Sequence, residues 1–180
     1  MRKLLIVCWL FLLWGACAKA QEGPGFEVSG SYQYTRFNPG NGASGINCQG
    51  GSGLFGAYLT SQVGVIGEFG GCKVTGLPSG ATAHGLNYLF GPRFYVPTHG
   101  RVYPFVQVLF GGERFSAGVT GLGSASSNTF AMTAGGGADV TLSKHVSLRA
   151  IQVEYLYTRF GGDSQNNLRI QSGIVWRFGR

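Results

Sequence analysis

The charged side chains that could do chemistry in this chain are isolated, and each lies in a segment where polar and apolar residues alternate. Because successive side chains of a β-strand point to opposite faces, alternation places the charges of each segment on one face. Around a common interior, opposite charges would form ion pairs, since an unpaired buried charge is costly. The residues predicted to share this interior are Glu27, Glu68, Arg93, Asp139, Glu154, Arg169 and Arg177.

The other motifs point away from catalysis. Gly51–Gly56 matches the G-x-G-x-x-G pattern, but we interpret it as a loop that runs into a strand. A dinucleotide site instead follows a strand and opens a helix. His84 and His99 stand apart from His145, so no cluster of metal ligands emerges. We predict no catalytic residue, no cofactor and no metal site.

Eight segments are predicted to be strands. Their residues alternate between polar and apolar, or turn residues lie at both of their ends. They are Phe26–Phe37, Gly53–Ser61, Val63–Cys72, His84–Val96, Val102–Gly112, Thr129–Leu142, Val146–Phe160 and Leu168–Phe178. Short turns alternate along the chain with longer connections rich in Gly, Ser and Asn. An even number of antiparallel strands can close, which removes unpaired edges. The prediction is an all-β fold, an eight-stranded antiparallel up-and-down barrel with its long loops on one rim.

The N-terminus has the pattern of a secretory signal peptide. Arg2 and Lys3 precede an apolar run, Leu4–Trp14, that is too short to cross a bilayer as a helix. Ala18–Ala20 supplies a small-x-small cleavage pattern, which predicts a signal peptide over residues 1–20 and a barrel domain over residues 21–180. A lipid attached to Cys17 is the alternative. It is disfavoured because Trp14 stands where such signals usually carry Leu.

Alternation alone does not say which face points inward, because a soluble barrel would bury its apolar face. Charged residues make up only 12% of this chain, about half the usual share in soluble domains. The polar face is mostly Gly, Ser and Thr, which suits a narrow interior. Aromatic residues gather near the strand ends, as in the two girdles of a transmembrane barrel. They are Tyr32, Tyr34, Phe37, Tyr95, Tyr103, Tyr155, Tyr157, Trp176 and Phe178. We therefore predict a transmembrane barrel with its apolar face toward lipid.

The net charge gives no reason to expect a nucleic-acid partner. Without Arg2, Lys3 and Lys19, 11 of the 14 basic residues remain against 7 acidic residues, a net charge of about +4. These basic residues are scattered singly, whereas a nucleic-acid surface clusters them.

The two cysteines of the mature chain, Cys48 and Cys72, predict a disulfide, as an even pair does in an exported protein. They are equidistant from residue 60, in the predicted turn between the second and third strands. Two residues equidistant from a hairpin turn lie at the same height. We expect the bond at the extracellular rim, where it would pin the first outer loop to the start of the second.

The last strand carries a resemblance to a known family. Gln171, Gly173, Trp176 and Phe178 resemble the C-terminal insertion signal of outer-membrane proteins, in which a polar residue, a glycine and alternate aromatic residues follow one another. Together with Phe90–Phe94 and the Gly-rich sixth strand, this makes the mature chain similar to the small eight-stranded barrels of the OmpA-like family. The resemblance implies the outer membrane of a diderm bacterium, with outer-membrane lipid and the barrel-assembly machinery as partners. No peptidoglycan-binding domain follows Phe178, so we expect a barrel alone.

The predicted function is structural or a matter of surface contacts, without enzymatic activity. Eight strands enclose a space that side chains just fill, so the interior charges are expected to plug the barrel. The long loops, above all the third with Phe115, Phe130 and Ala117–Ser127, are the expected contact surface for an extracellular ligand or surface.

Two other functions remain open. One is a small gated channel for ions or small solutes, controlled by the interior charges. The other is a lipid-modifying enzyme of the outer membrane, some of which use His and Ser at the spacing of His145 and Ser147. That pair lies at a predicted periplasmic turn without an acidic partner, which favours an ordinary turn histidine.

Overall fold

The computed structural model describes residues 25–38, 45–121, 123–160 and 163–179. The predicted signal peptide lies outside the described residues, as does most of the first predicted long loop. Within the described residues, no helix is long and apolar enough to cross a membrane.

The described chain forms eight strands that close into a single barrel. The strands are β1 Phe26–Phe37, β2 Ile46–Tyr58, β3 Val63–Thr75, β4 Ala81–Tyr95, β5 Val102–Val119, β6 Gly123–Thr141, β7 Val146–Phe160 and β8 Asp163–Phe178. Each strand is antiparallel to the next, and β8 pairs with β1 to complete the ring. This confirms the predicted eight-stranded antiparallel up-and-down barrel. The end that carries Phe26 and Phe178, which lie opposite each other, is called the base. The opposite end is called the upper rim.

Several strands extend further toward the upper rim than the sequence predicts. β5 and β6 pair without a break from Val102 opposite Val140 up to Val119 opposite Gly123, so most of the predicted third loop is a projecting hairpin. β2 begins at Ile46 rather than Gly53. The extension of β5 and β6 is rich in Gly, Ser and Ala, and that of β2 contains Gly50, Gly51 and Ser52. Backbone hydrogen bonds to neighbouring strands hold such residues in the sheet, but their side chains show no alternation that would reveal a strand.

Apolar side chains cover the outside of the barrel and polar side chains fill much of its interior. On the outer face, Phe69 and Leu86 each expose 58% of their surface. Glu27, Glu68 and Arg93 are fully buried on the inner face. This is the inverse of a soluble barrel, and it agrees with the orientation predicted from the strand-end aromatics and the small polar residues.

A β-bulge in β7 changes which residues face inward. Asp139 of β6 lies opposite Arg149, whereas the preceding Ala138 lies opposite Ile151, so Ala150 is the extra residue. Arg149 and Gln152 are therefore both buried although their numbers differ in parity. Such a bulge reverses the alternation beyond it. Simple alternation would place Arg149 on the lipid side with Ile151.

Candidate functional site: the charged barrel interior

The structure places the side chains of all seven predicted interior residues inside the barrel. The most exposed is Arg177, with 14% of its side-chain surface accessible. Together with Arg149, which was not predicted, these seven residues form two groups. The basal cluster consists of Glu27, Arg93, Asp139, Arg149 and Arg177, and the central cluster consists of Glu68, Glu154 and Arg169.

The basal cluster pairs two carboxylates with three arginines. Arg149 bridges both acids, with its Nε 2.9 Å from Asp139 Oδ1 and its Nη2 3.3 Å from Glu27 Oε1. Arg177 Nη2 lies 2.7 Å from Asp139 Oδ2, and Arg93 pairs with Glu27. Each carboxylate therefore contacts at least two guanidinium groups, which offsets the cost of burying it.

Two aromatic side chains hold the basal arginines in position. The Tyr95 hydroxyl donates a hydrogen bond to Asp139 Oδ2 at 2.6 Å and accepts one from Arg177 Nη2 at 2.9 Å. The Phe105 ring centroid lies 4.3 Å from the guanidinium carbon of Arg93 and 4.8 Å from that of Arg149. At these distances the ring faces attract the cations. The arrangement fixes three arginines that would otherwise repel one another.

The central cluster is built around Arg169 of β8. Its Nη1 lies 2.7 Å from Glu68 Oε1, and its Nε donates to Glu154 Oε2 at 2.8 Å. Gln171, two residues further along the same face, donates to Glu68 Oε1 at 3.2 Å. Charge-assisted hydrogen bonds of this kind are about twice as strong as neutral ones.

Gln107 of β5 joins the two clusters. Its Oε1 accepts a hydrogen bond from Arg93 Nε at 2.7 Å, and its Nε2 donates to Glu154 Oε1 at 2.7 Å. Gln107 is 2% exposed. A continuous polar network therefore runs from Glu27 near the base to Glu68 in the central cluster.

Glu113 is a further interior carboxylate that lies outside both clusters. It is 4% exposed and forms no salt bridge to any other residue that the structure describes. A Cβ atom added at Gly85 would lie 3.1 Å from Glu113 Oε1, so this glycine leaves room for the carboxyl group. With Glu113, five carboxylates face four arginines in the interior.

An apolar layer fills the interior toward the upper rim. Its members are Phe37, Cys48, Cys72, Val74 and Ala83, and Phe115 packs against it. The Phe37 and Phe115 rings meet edge to face with centroids 6.1 Å apart. The same buried cluster also includes Ile66 and Leu89, so apolar side chains share the interior with the charged residues further toward the base.

The disulfide between Cys48 and Cys72 is confirmed, with Cα atoms 5.5 Å apart and a position toward the upper rim, but the prediction that it pins two loops is wrong. Both cysteines lie within strands and point inward, so the bond joins β2 to β3 rather than two loops. Cys48 lies opposite Val74 and Cys72 opposite Gly50, because the hairpin is centred on residue 61 rather than 60. Gly50 is required there, since a Cβ atom would lie 1.9 Å from the Gly71 carbonyl oxygen.

Three residues of the network, and Glu113 outside it, escaped the sequence prediction. Arg149 was hidden by the bulge, and Glu113 by its place in a segment predicted as a loop. Gln107 shares its face with Phe105 and Leu109, which gave the fifth strand a weak pattern.

Tyr95, the fourth, was predicted in the aromatic girdles together with Phe37, and both predictions are wrong because these side chains are buried inside. A signal was present for Tyr95. It stands two residues after Arg93, on the same face of β4.

The residues of the predicted insertion signal lie on both faces of β8. Gln171 is inside, whereas Trp176 and Phe178 are exposed near the base and stack with ring centroids 6.3 Å apart. Gly173 packs closely on β1, where a Cβ atom would lie 2.2 Å from the Gly30 carbonyl oxygen. A close strand contact alone accounts for the glycine at this position.

The weaker motifs form no reactive site. Gly51–Gly56 lies wholly within β2 rather than in a loop. His145 is exposed in the turn before β7, whereas Ser147 is buried and accepts a hydrogen bond from Arg177 Nη1 at 2.8 Å. Within the described ranges, no group of three His, Cys, Asp or Glu side chains could hold a metal ion.

Residues 6–178 match the family described as Outer membrane protein beta-barrel domain. The chain belongs to this family. A search of curated proteins found no match. As a member of the family, the protein is an outer-membrane barrel, which confirms the resemblance in its last strand.

Solved structures share the fold at low sequence identity. Neisserial surface protein A is similar with a TM-score of 0.70 and 13% identity, over 88% of this chain and 100% of that one. Ail, the attachment invasion locus protein of Yersinia pestis, is similar with a TM-score of 0.60 and 16% identity, over 86% of this chain and 100% of that one. OprG from Pseudomonas aeruginosa has a TM-score of 0.59 and 13% identity, over 89% of this chain and 98% of that one. Another structure of Ail contains the heparin analogue sucrose octasulfate, with a TM-score of 0.56, 16% identity, and coverage of 84% and 99%.

Proposed function

We propose that this protein is a non-enzymatic outer-membrane barrel whose interior is closed to solutes by its ion-paired side chains. The observation that carries this proposal is the bridge through Gln107, which links the basal and central clusters into one network. An eight-stranded barrel is just wide enough for side chains to fill it. Toward the upper rim, the buried apolar side chains around Phe37 and the disulfide support the same proposal, because they occupy interior space that a solute would need.

A small gated channel is the second candidate, and one observation favours it. Among the described residues, several buried polar atoms of the interior have no hydrogen-bond partner in the protein, including Arg93 Nη2, Arg149 Nη1 and Glu68 Oε2. Buried polar groups normally find partners, if necessary in water. A hydrated path past the arginines would satisfy them and would conduct when the ion pairs separate.

The proposed orientation follows the general rule for such barrels, in which short turns face the periplasm and longer loops face outward. The base and both described ends of the chain then face the periplasm. Outer-membrane lipid surrounds the barrel, and the barrel-assembly machinery recognises β8 during insertion. A cleaved signal peptide over residues 1–20 belongs to the same proposal.

The projecting hairpin of β5 and β6 is the proposed surface for contacts outside the cell. These strands have 18 and 19 residues, whereas about 9 to 11 suffice to cross a bilayer. The hairpin carries Arg114, which is exposed. The Ail structure with a heparin analogue makes a polyanionic ligand a reasonable first probe for this surface.

Conductance in planar bilayers tests the closed interior. We expect the wild type to be silent, and the interior variant R169A/R177A to conduct because it removes two side chains that fill the barrel. The control R101A/K144A removes one arginine and one lysine from exposed turns at the base and should stay silent. Conductance by the wild type would overturn the closed interior and support the channel. A silent R169A/R177A variant that folds would show that these arginines do not block the interior.

Folding of each variant is checked on gels, boiled and unboiled, after refolding of the mature chain in detergent. A compact band that shifts on heating indicates a closed barrel. A soluble β-rich monomer that needs no detergent would contradict the membrane placement itself.

A further inference from the structure

The outer face of the barrel carries a ring of cations toward the upper rim. Its members lie on four alternate strands, and all are exposed: Arg36 on β1, Lys73 on β3, Arg114 on β5 and Arg159 on β7. These four residues are called the cationic girdle. On β4, His84 lies directly opposite Lys73 and adds a further polar side chain to the ring.

Each girdle residue follows the outer apolar surface of its strand. Arg36 stands two residues after Tyr34, and Arg159 two residues after Tyr157, on the same face in each case. Lys73 and Arg114 each stand four residues beyond an exposed phenylalanine, Phe69 in β3 and Phe110 in β5, with a glycine between. The girdle therefore marks the depth at which the lipid-facing surface ends.

The exposed charges that the structure describes toward the upper rim are all positive. Five of the seven acidic residues lie in the interior, and no acidic side chain is exposed among those that the structure describes. The girdle cations instead contact neutral groups: Arg36 Nη1 donates to Asn47 Oδ1 at 3.2 Å, and Arg114 Nη2 donates to Ser126 Oγ at 3.2 Å. Their charge remains available to an external anion.

Tyrosine–amide pairs lie on the outer face beside these cations. Tyr34 donates to Asn47 Oδ1 at 2.9 Å, and Tyr32 donates to Gln49 Oε1 at 2.9 Å. Tyr155 also donates to Asn166 Oδ1. Phenol and amide groups both donate and accept hydrogen bonds, as hydroxyl-rich sugars require. The base lacks this combination on its strands, because its described exposed cations, Arg101 and Lys144, lie in turns.

We infer that the cationic girdle binds the phosphate groups of an anionic glycolipid in the outer leaflet, with the tyrosine–amide pairs contacting its sugars. Guanidinium groups match phosphate in geometry, and lysine adds a point charge. A membrane-bound ligand reaches the girdle from the side, at the depth where the apolar surface ends. This inference rests on the placement in the outer membrane and not on a closed interior.

Protection against heat tests the inference with defined probes. The refolded mature chain in zwitterionic detergent is titrated with bis-phosphorylated lipid A, and the midpoint of the heat-induced gel shift is followed. A ligand that binds only the folded barrel raises this midpoint, and the rise grows with the ratio of the ligand concentration to its Kd. We expect a rise with lipid A, but not with dephosphorylated lipid A or with inorganic phosphate at the same phosphate concentration.

Matched variants locate the effect. K73Q/R114Q removes one lysine and one arginine from the girdle, and R101Q/K144Q removes the same two types from the base. We expect K73Q/R114Q to weaken lipid A binding about tenfold, and the quadruple variant R36Q/K73Q/R114Q/R159Q to abolish protection. R101Q/K144Q should bind within about twofold of the wild type. If the quadruple variant does not refold, the charge-retaining R36K/R114K/R159K variant should still be protected.

Three results would overturn the inference. The first is equal protection of the wild type and K73Q/R114Q. The second is equal protection by dephosphorylated lipid A, which would assign the effect to acyl chains. The third is protection by inorganic phosphate alone, which would indicate a site for free anions. Each differs from the conductance result that would overturn the closed interior.

Discussion

The interior and the cationic girdle hold the arginines of this barrel in opposite environments. Arg149 is buried and contacts two carboxylates, whereas Arg159, ten residues further along the same strand, is exposed on the lipid side. Inside, a cation without a partner is very costly, so pairing is obligatory. At the rim, water solvates the cation, so pairing is optional and the charge can serve binding. Location thus separates structural arginines from those available to a ligand.

The largest expected effect comes from removing the buried arginine of β7, in comparison with removing the exposed one. R149A should lower the free energy of unfolding by about 3 to 5 kcal/mol, because it leaves Glu27 and Asp139 with fewer partners. R159A should change it by less than about 0.5 kcal/mol. Urea unfolding, followed by the fluorescence of Trp176, measures both. Equal losses would show that burial does not distinguish the two arginines.

Removal of the disulfide should have the next largest effect. C48S/C72S is expected to lower the free energy of unfolding by about 2 to 4 kcal/mol, since the bond closes a loop with a sequence separation of 24. Lipid A binding should remain, because both cysteines point inward. A loss of lipid A binding by a folded variant would show that the interior and the girdle are not independent.

Gln107 tests whether the two interior clusters act as one network. Q107L removes the partner of Arg93 Nε and of Glu154 Oε1, and should cost about 1 to 3 kcal/mol. V106L, on the lipid side of the same strand, is the control and should be nearly neutral. A stable Q107L variant would mean that the clusters stand independently.

Of the changes considered, added salt should alter the free energy of unfolding least, but it should clearly weaken lipid A binding. At about 1 M salt the screening length falls to about 3 Å, so exposed pairs weaken much more than buried ones. Lipid A binding through the girdle should therefore fall with ionic strength, while the free energy of unfolding without lipid should hardly change. Binding that is insensitive to salt would argue against phosphate recognition.

Much of this architecture could be predicted from the sequence because alternation is local. The period of two in β1 and β8 showed which residues share a face, and these include Glu27, Arg169 and Arg177. The even number of strands and the charge-poor composition then favoured a closed barrel in a membrane. The disulfide partners could be predicted as well, since only two cysteines lie outside the predicted signal peptide.

Features that depend on pairing between strands could not be predicted. The bulge at Ala150 depends on how β7 pairs with β6 and β8, and it alone brings Arg149 inside. Cys48 and Cys72 are not directly opposite each other, because the hairpin is centred on residue 61 rather than 60. The turn sequence does not fix that centre to within one residue. The extended hairpin of β5 and β6 is held by backbone hydrogen bonds between residues that show little pattern of their own.

By itself, the sequence determined the faces of the strands, their number and the family, because side-chain direction along a strand repeats every two residues. Only the tertiary structure decided which carboxylate meets which arginine, and that Gln107 contacts both Arg93, 14 positions away, and Glu154, 47 positions away. Those contacts depend on strand register and barrel closure, which are set by pairing between distant segments. The same closure gathers Arg36, Lys73, Arg114 and Arg159 into one ring, although 123 positions separate the first from the last.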